Sequence, residues 1–356
     1  MLLPESGPAQ WKQALKFDSR KGLLAAALLC LAAAASADPH GWGVLTAENN
    51  NIGDNQDRYY VNGFNFAYLS PPTAQDRGGW LARVTDWVED GLPLFADSTT
   101  SDRRFEWTVL GQQIFTPADK SLTVPDPHDR PYAGWLYDGL SFLQDSDARR
   151  LDDLDITLGL VGPHALGRQT QNGFHKLFGY GSANGWSHQL RDEPALTLSY
   201  AHKWRWAADL TASGLQADLI PELGATLGNV LDDAEAALTA RIGWGLDADY
   251  GPRIIQPGFS GGAYFNPERT GRRWGLNLFA GFQQRLVGRN LFLDGNSFRT
   301  SPSVAKYPLV HDITFGLSGY SSRCLRVDLA YIIRSDEFHN QISAEHYGSI
   351  TVAVRF

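Results

Sequence analysis

The chain closes on "SITVAVRF", Ser349 to Phe356. Here Ile350, Val352, Val354 and Phe356 alternate with Ser349, Thr351, Ala353 and Arg355. Alternation with period two puts the first set on one face of a strand and the second on the other. The same pattern appears in "DLDITLGLV" (153–161), where Leu154, Ile156, Leu158 and Leu160 oppose Asp153, Asp155, Thr157 and Gly159. It appears again in "ALTLSYAHKWRW" (195–206), where Leu196, Leu198, Tyr200, Trp204 and Trp206 share a face with His202. Further rows are Leu238/Ala240/Ile242/Trp244, Trp274/Leu276/Leu278/Phe282, Ile313/Phe315/Leu317 and Leu325/Val327/Leu329/Tyr331. Opposite these rows stand Lys203, Arg205, Arg241, Asn277, Arg326 and Asp328.

A soluble sandwich alternates too, but these apolar rows often finish in Trp or Tyr. A membrane barrel requires that order, with aliphatic side chains in hydrocarbon, aromatic girdles at the interfaces and polar groups in the lumen. The terminal aromatic residue resembles the closing strand of bacterial outer-membrane proteins. Closure is also a hydrogen-bonding necessity, because an open sheet edge in lipid leaves N–H and C=O groups unpaired. The expected fold is all-β: a closed antiparallel transmembrane β-barrel of about 12 strands, with short helical segments in its loops, in the bacterial outer membrane. Candidate strands start near residues 42, 59, 104, 131, 152, 194, 214, 236, 258, 273, 310, 323 and 343. That is one more than an even count, so one is false or two are merged. Regions 208–224 and 255–266 carry the weakest patterns. Pro131 reads as the start of a strand whose Tyr132, Trp135 and Tyr137 suit an interface belt, with Asp129 and Arg130 pinning its beginning.

Lys12, Lys16, Arg20 and Lys21 precede the apolar run "GLLAAALLCLAAAASA", which ends in small residues. This is the order of a secretory signal, so 1–37 is expected to be a signal peptide and 38–356 the barrel. The chain has 39 acidic and 31 basic residues, which argues against a nucleic-acid partner. Cys324 is the one cysteine outside the leader, so no internal disulfide forms, and no Cys/His set has zinc spacing. No obligate protein partner is indicated. There is no G-x-S-x-G elbow, P-loop or dinucleotide fingerprint.

Segments 71–103 and 163–192 are too long for turns, and long connections of this kind usually carry function. Within the second lies "GRQTQNGFHKLFG" (167–179). If helical, it sets Gln171 and His175 on one face, one turn apart. Histidine exchanges protons near neutral pH, although a lone loop histidine is more often only a surface residue. A second segment, "AENNNIGDNQDRYYVNG" (47–63), is dense in hard oxygen donors of the kind calcium takes. An Asn/Asp-rich hairpin turn would look the same.

Taken in order, "AENN…DRYYVNG", "GQQIFTP", "DRPYAGWLYDGLSF", "LDITLGLVGPHALGRQTQNGFHKLFG" and "GWSHQLRDEPALTLSYAHKW" resemble the lipid A 3-O-deacylase family of outer-membrane enzymes. The resemblance spans nearly the whole mature chain, with 129–200 its most specific part. It implies a twelve-stranded barrel that removes the 3-linked acyl chain of lipid A, with Ca²⁺ as cofactor and lipopolysaccharide as substrate. The family's Q-x-x-x-H motif falls on Gln171 and His175, and its Asn-Asp pair beside the metal falls on Asn49 and Asn50. A lysine after the third strand's T-P corresponds to Lys120. On this reading His175 is the general base to a water, Gln171 orients water or the imidazole, and Asn49 and Asn50 hold calcium with backbone oxygens. Basic groups near the loops (Arg103, Arg104, Arg130, Arg168, Lys176 and Arg191) have the lipid A phosphates as targets, with Arg168 and Lys176 favoured because they flank His175. Two residues depart from the family pattern: Asn50 stands where Asp is usual and Val61 where Thr is common, with Asp54 or Asp57 as possible compensation. The competing readings are an outer-membrane phospholipase, and a non-catalytic barrel or pore whose lumen charges conduct ions or pair and plug it.

Overall fold

The structure is a computed structural model that describes residues 41–50, 57–75, 79–95, 101–255 and 262–356. The expected signal peptide, 1–37, lies outside the described residues, as do Asn51, Asp54 and Asn55. Among the described residues thirteen strands follow in order: β1 (Trp42–Asn49), β2 (Tyr59–Leu69), β3 (Ser101–Thr116), β4 (Ala133–Ser146), β5 (Arg150–Val161), β6 (Glu193–Trp204), β7 (Trp206–Asp209), β8 (Gln216–Gly228), β9 (Leu231–Trp244), β10 (Trp274–Asn290), β11 (Leu309–Ser321), β12 (Leu325–Arg334) and β13 (Glu345–Arg355). All neighbours are antiparallel. The ring closes because β1 pairs with β13 (Trp42 opposite Arg355) and β6 pairs with β8 (Leu198 opposite Leu227).

The odd count has a simple cause. β7 continues β6 beyond Arg205 and lies along the same partner, β8, so the wall has twelve staves and one short extra strand. The strand start expected near residue 258 lies outside the described residues. Around it, the connection from β9 to β10 turns into the lumen. Arg253 pairs with Glu106, the Ile255 amide donates to Glu48 Oε1 (2.8 Å), and the Gly262 amide donates to Asp153 Oδ2 (2.9 Å). A strand in the wall would have exposed these groups to lipid. Folded inward, they meet three buried carboxylates and help satisfy them in a low-dielectric interior.

The alternation sorts the wall as expected. Leu158, Leu196, Leu198, Leu278 and Leu286 are exposed outward, while Asp153, Asp155 and Thr157 are buried inward. The lumen is packed rather than open. Tyr60, Phe115, Trp135, Tyr137, Phe292 and Tyr347 form an aromatic core at the end remote from the chain termini. Phe292 comes from α3 (Leu291–Asp294), a single turn after β10. Trp135 and Tyr137 stack inside the barrel at 4.3 Å and are not part of an interface belt. The cause is strand parity: Asp138 and Leu140 take the outward positions of β4. Nearer the termini, Arg241 binds Asp218 and Asp249, and Arg326 binds Asp328 (2.9 Å) and Asp249 (3.2 Å). The charges considered above as a conducting lumen thus neutralise one another.

Two loops of equal length, 70–100 and 162–192, leave opposite ends of the wall. Each carries a helix: α1 (Trp80–Gly91) on the termini side and α2 (Gly167–Phe178) at the far end.

Candidate active site

α2 is seated through small residues. A side chain on Gly134 of β4 would come within 3.1–3.2 Å of the Gly167 backbone, so the helix start lies directly on the wall. Gln112 of β3 donates to the Ala165 carbonyl at 2.7 Å and ties the preceding turn to the same strand. The helix ends at Gly179, whose φ of +80° suits glycine and turns the chain back so that the Tyr180 amide caps the His175 carbonyl at 2.8 Å. Asn172 clamps the return, accepting from the Ala183 amide (2.9 Å) and donating to its carbonyl (3.2 Å). Val61, Ile114, Tyr132, Ala183 and Trp186 pack into one buried cluster between the wall and this loop.

Gln171 and His175 share the buried face of α2, each about 5% exposed. The Trp186 indole donates to Gln171 Oε1 at 2.9 Å, and Gln171 Nε2 is buried without a partner among the described residues. His175 Nδ1 faces the Gly181 carbonyl, and its Nε2 lies 3.0 Å from Asp57 Oδ2. The same carboxylate oxygen is paired with Lys120, whose ammonium also reaches the Asp57 carbonyl. Burial pushes the Lys120 ammonium below its ordinary range, while Asp57 pulls the other way. Three segments far apart in sequence therefore meet at one carboxylate.

Asn50 is one contact away. It is buried, and its Nδ2 donates to the Arg58 carbonyl (2.7 Å), next in the chain to Asp57. Its Oδ1 is buried with no hydrogen-bond partner among the described residues. Asn49 Nδ2 donates to the Val61 carbonyl at 2.9 Å. An orphaned buried amide oxygen on a side chain held to a backbone carbonyl fits a hard cation. Among the described residues no group of three or more His, Cys, Asp and Glu side chains is arranged for a metal, so such a site would rest on amide and carbonyl oxygens.

The outer surface of α2 is apolar: Phe174 and Leu177 are each 54% exposed. Arg168 and Lys176 are exposed on the same helix, and Arg191 on the following loop. The other basic residues considered for phosphates are placed elsewhere. Arg103 and Arg104 begin β3 at the termini end, where Arg103 meets Glu89 (3.2 Å) and Arg104 meets Asp102 (3.1 Å). Arg130 is fully buried between Glu337 and Glu345, so it pins the beginning of β4, as expected. Asp57 was seen in the sequence only as an oxygen donor. Nothing local marks it as the partner of His175, which lies more than a hundred residues away.

The family model for outer membrane protein LpxR matches residues 23–356. Among solved structures, LpxR from Salmonella typhimurium is similar with a TM-score of 0.68 and 18% identity, covering 88% of this chain and 100% of that one. The beta domain of the Bordetella autotransporter BrkA covers 90% of this chain and 99% of its own, at 8% identity and a TM-score of 0.42. No match to a curated protein sequence was found.

Proposed function

This chain belongs to the LpxR family, the lipid A 3-O-deacylases of the outer membrane, and from that premise we propose that it hydrolyses the 3-O-acyl ester of lipid A with His175 as general base. The observation that carries the reading is the contact of buried His175 with Asp57, whose carboxylate also holds Lys120, on a helix whose outer side exposes Phe174 and Leu177. An ester in a lipid leaflet cannot diffuse into a deep soluble pocket, so the catalyst must stand on the wall at membrane level. Phe174 and Leu177 offer acyl chains a surface there, and Arg168 and Lys176 offer the phosphates charge.

The Gly181 carbonyl accepts a hydrogen bond from Nδ1–H and fixes the ring, which leaves Nε2 to exchange a proton with water. Asp57 Oδ2 holds the position beside Nε2 and is also the oxygen held by Lys120, so withdrawal toward the ammonium admits a water. Nε2 takes that water's proton as its oxygen attacks the acyl carbon. Collapse breaks the bond to the sugar 3-oxygen, and the departing oxygen recovers the proton from Nε2. The free N–H groups of Gln171 Nε2 orient the water or the ester carbonyl. Asn49 and Asn50, with loop carbonyls, would hold Ca²⁺, whose chemistry when bound is that of a Lewis acid toward the ester carbonyl.

The test is mass spectrometry of purified lipid A treated with the refolded protein in detergent, with calcium or with chelator. The expected product is lipid A lighter by one 3-O-linked acyl chain, formed only with calcium. Release of acyl chains from phospholipid instead would overturn the substrate assignment, and undiminished activity of His175→Ala would overturn the mechanism.

A further inference from the structure

The loop on the termini side carries a feature that the deacylation site does not use. Its helix α1 lies on the outside of the wall. Val84 and Val88 pack with Phe95 over Phe142 of β4 and Leu154 of β5, side chains on the outward parity of their strands. The stretch of wall beneath it is unusually polar for a lipid-facing surface. Arg103 donates to Gln144 (2.9 Å), and Asp152 accepts from Tyr200 (2.7 Å) and contacts His202. Such groups cannot face hydrocarbon uncovered. α1 covers them and is fastened there: Glu89 and Asp90 pair with Arg103 (3.2 and 2.7 Å), Asp86 accepts from Thr73 (2.9 Å), and the Tyr200 hydroxyl lies 3.0 Å from the Leu94 carbonyl.

The face turned away from the wall is aromatic. Trp80 is 66% and Trp87 75% exposed, and Leu92 and Leu94 follow, also exposed. Seven residues is two helical turns, so the two indoles project from one face about 10 Å apart along the axis. They continue a belt at the same rim, where Trp206 of β7 and Trp274 of β10 are 63% and 52% exposed on the lipid side. The acidic groups of α1 are largely taken up by Arg103 and Thr73, and Arg83, exposed between the two indoles, gives the outer face a positive charge suited to lipid phosphates.

We propose that α1 is an interfacial anchor: Trp80 and Trp87 sit in the headgroup–acyl boundary of the leaflet at the termini end of the barrel. There they cover the polar foot of β4–β6 and fix the barrel's depth. The occupant is a phospholipid surface, because the face continues a wall already in contact with lipid and has the indole chemistry that such interfaces take.

The test places an environment-sensitive fluorophore at Trp87→Cys, and separately at Trp80→Cys, in the full chain with Cys30→Ser and Cys324→Ser. The protein is reconstituted into vesicles of phosphatidylethanolamine and phosphatidylglycerol with brominated acyl chains. Ala212→Cys, on the exposed turn between β7 and β8, is the aqueous reference. Retained heat-modifiable mobility in gels certifies the folded barrel, and the second labelled position serves if the first variant does not fold. The expected result is blue-shifted emission at both helix positions, shielding from aqueous iodide, and stronger quenching by bromine near the headgroup than near the chain ends. Emission equal to the Ala212 reference would overturn the proposal. So would quenching strongest at the chain ends, or shielding that appears only when periplasmic protein is added.

Discussion

The two long loops are built alike and used differently. Each carries a twelve-residue helix laid on the outside of the barrel, α1 at the termini end and α2 at the other. Against the wall, α1 buries Ala82, Thr85 and Glu89, and two of its acidic residues, Glu89 and Asp90, share one guanidinium, that of Arg103. α2 buries Gln171 and His175, and its loop is held by several separate contacts: Gln112 to Ala165, Trp186 to Gln171, Asn172 to Ala183, and His175 to Asp57. A helix that anchors needs only a covered underside and an apolar outer face. A helix that does chemistry must also fix its polar groups within a fraction of an ångström, and that requires partners from several directions.

The sharpest way to break this contrast is to remove one functional group from each helix. His175→Ala should lower lipid A deacylation by at least roughly 100-fold, the usual worth of a general base, while Trp87→Ala leaves it within about 3-fold. Comparable losses from both would mean that the helices do not differ in role.

The next largest effect concerns the carboxylate that joins the segments. Asp57→Asn keeps the shape but removes the charge between His175 and Lys120. Losing a charge-assisted contact of about 1.5–3 kcal/mol should cost roughly 10- to 100-fold in kcat. The same pair sets a pH limit. The ammonium of Lys120 is lowered by burial, so the charged form is complete below its folded pKa and is lost as pH rises through it. The alkaline limb of activity should therefore fall below the ordinary lysine range. Lys120→Arg, which stays charged, should move that limb upward in a pH–rate profile.

A finer test addresses Asn50. Its amide both donates to Arg58 and leaves Oδ1 unpartnered. Asn50→Asp gains a negative charge but loses the donor, so the loop should hold its shape only with a cation bound. The expected outcome is a steeper calcium dependence in titrations of activity, with less activity than the parent at low calcium. A parallel shift at all calcium levels would place Asn50 away from the metal.

The smallest effect is expected at α1. Burial pushes the Glu89 carboxyl up to about 9, with Arg103 opposing. The docked helix therefore binds a proton that the undocked chain releases near the ordinary glutamate value of 4.5, and docking weakens as pH rises between the two. Glu89→Gln should flatten that dependence in hydrogen exchange of 80–91, corrected for intrinsic rates, without altering deacylation.

Much of the barrel was legible because its cause is local. Each wall strand must show lipid one face and the lumen the other, so alternation in Leu154–Leu160 or Ile350–Phe356 is written residue by residue. Where that constraint was relaxed the reading failed. The connection from β9 to β10 has a weak alternation, and its described parts serve the lumen: Arg253 meets Glu106, and the amides of Ile255 and Gly262 meet Glu48 and Asp153. Trp135 and Tyr137 have the composition of a belt, but a single step in strand parity sent them inward. The motif pair Gln171 and His175 was visible through helical spacing and family likeness. Asp57 as the partner of that histidine was not.

The amino-acid sequence by itself determined a closed, lipid-facing wall and the helix that carries His175, since both follow from periodicities of two residues and of one turn. Only the tertiary structure decided that the lumen is filled, that His175 and Lys120 meet at Asp57, and that α1 lies on a polar foot of the outer wall. Those outcomes depend on pairing between residues far apart in the chain. Burial makes such pairing obligatory for charged groups, but no local pattern names the partner.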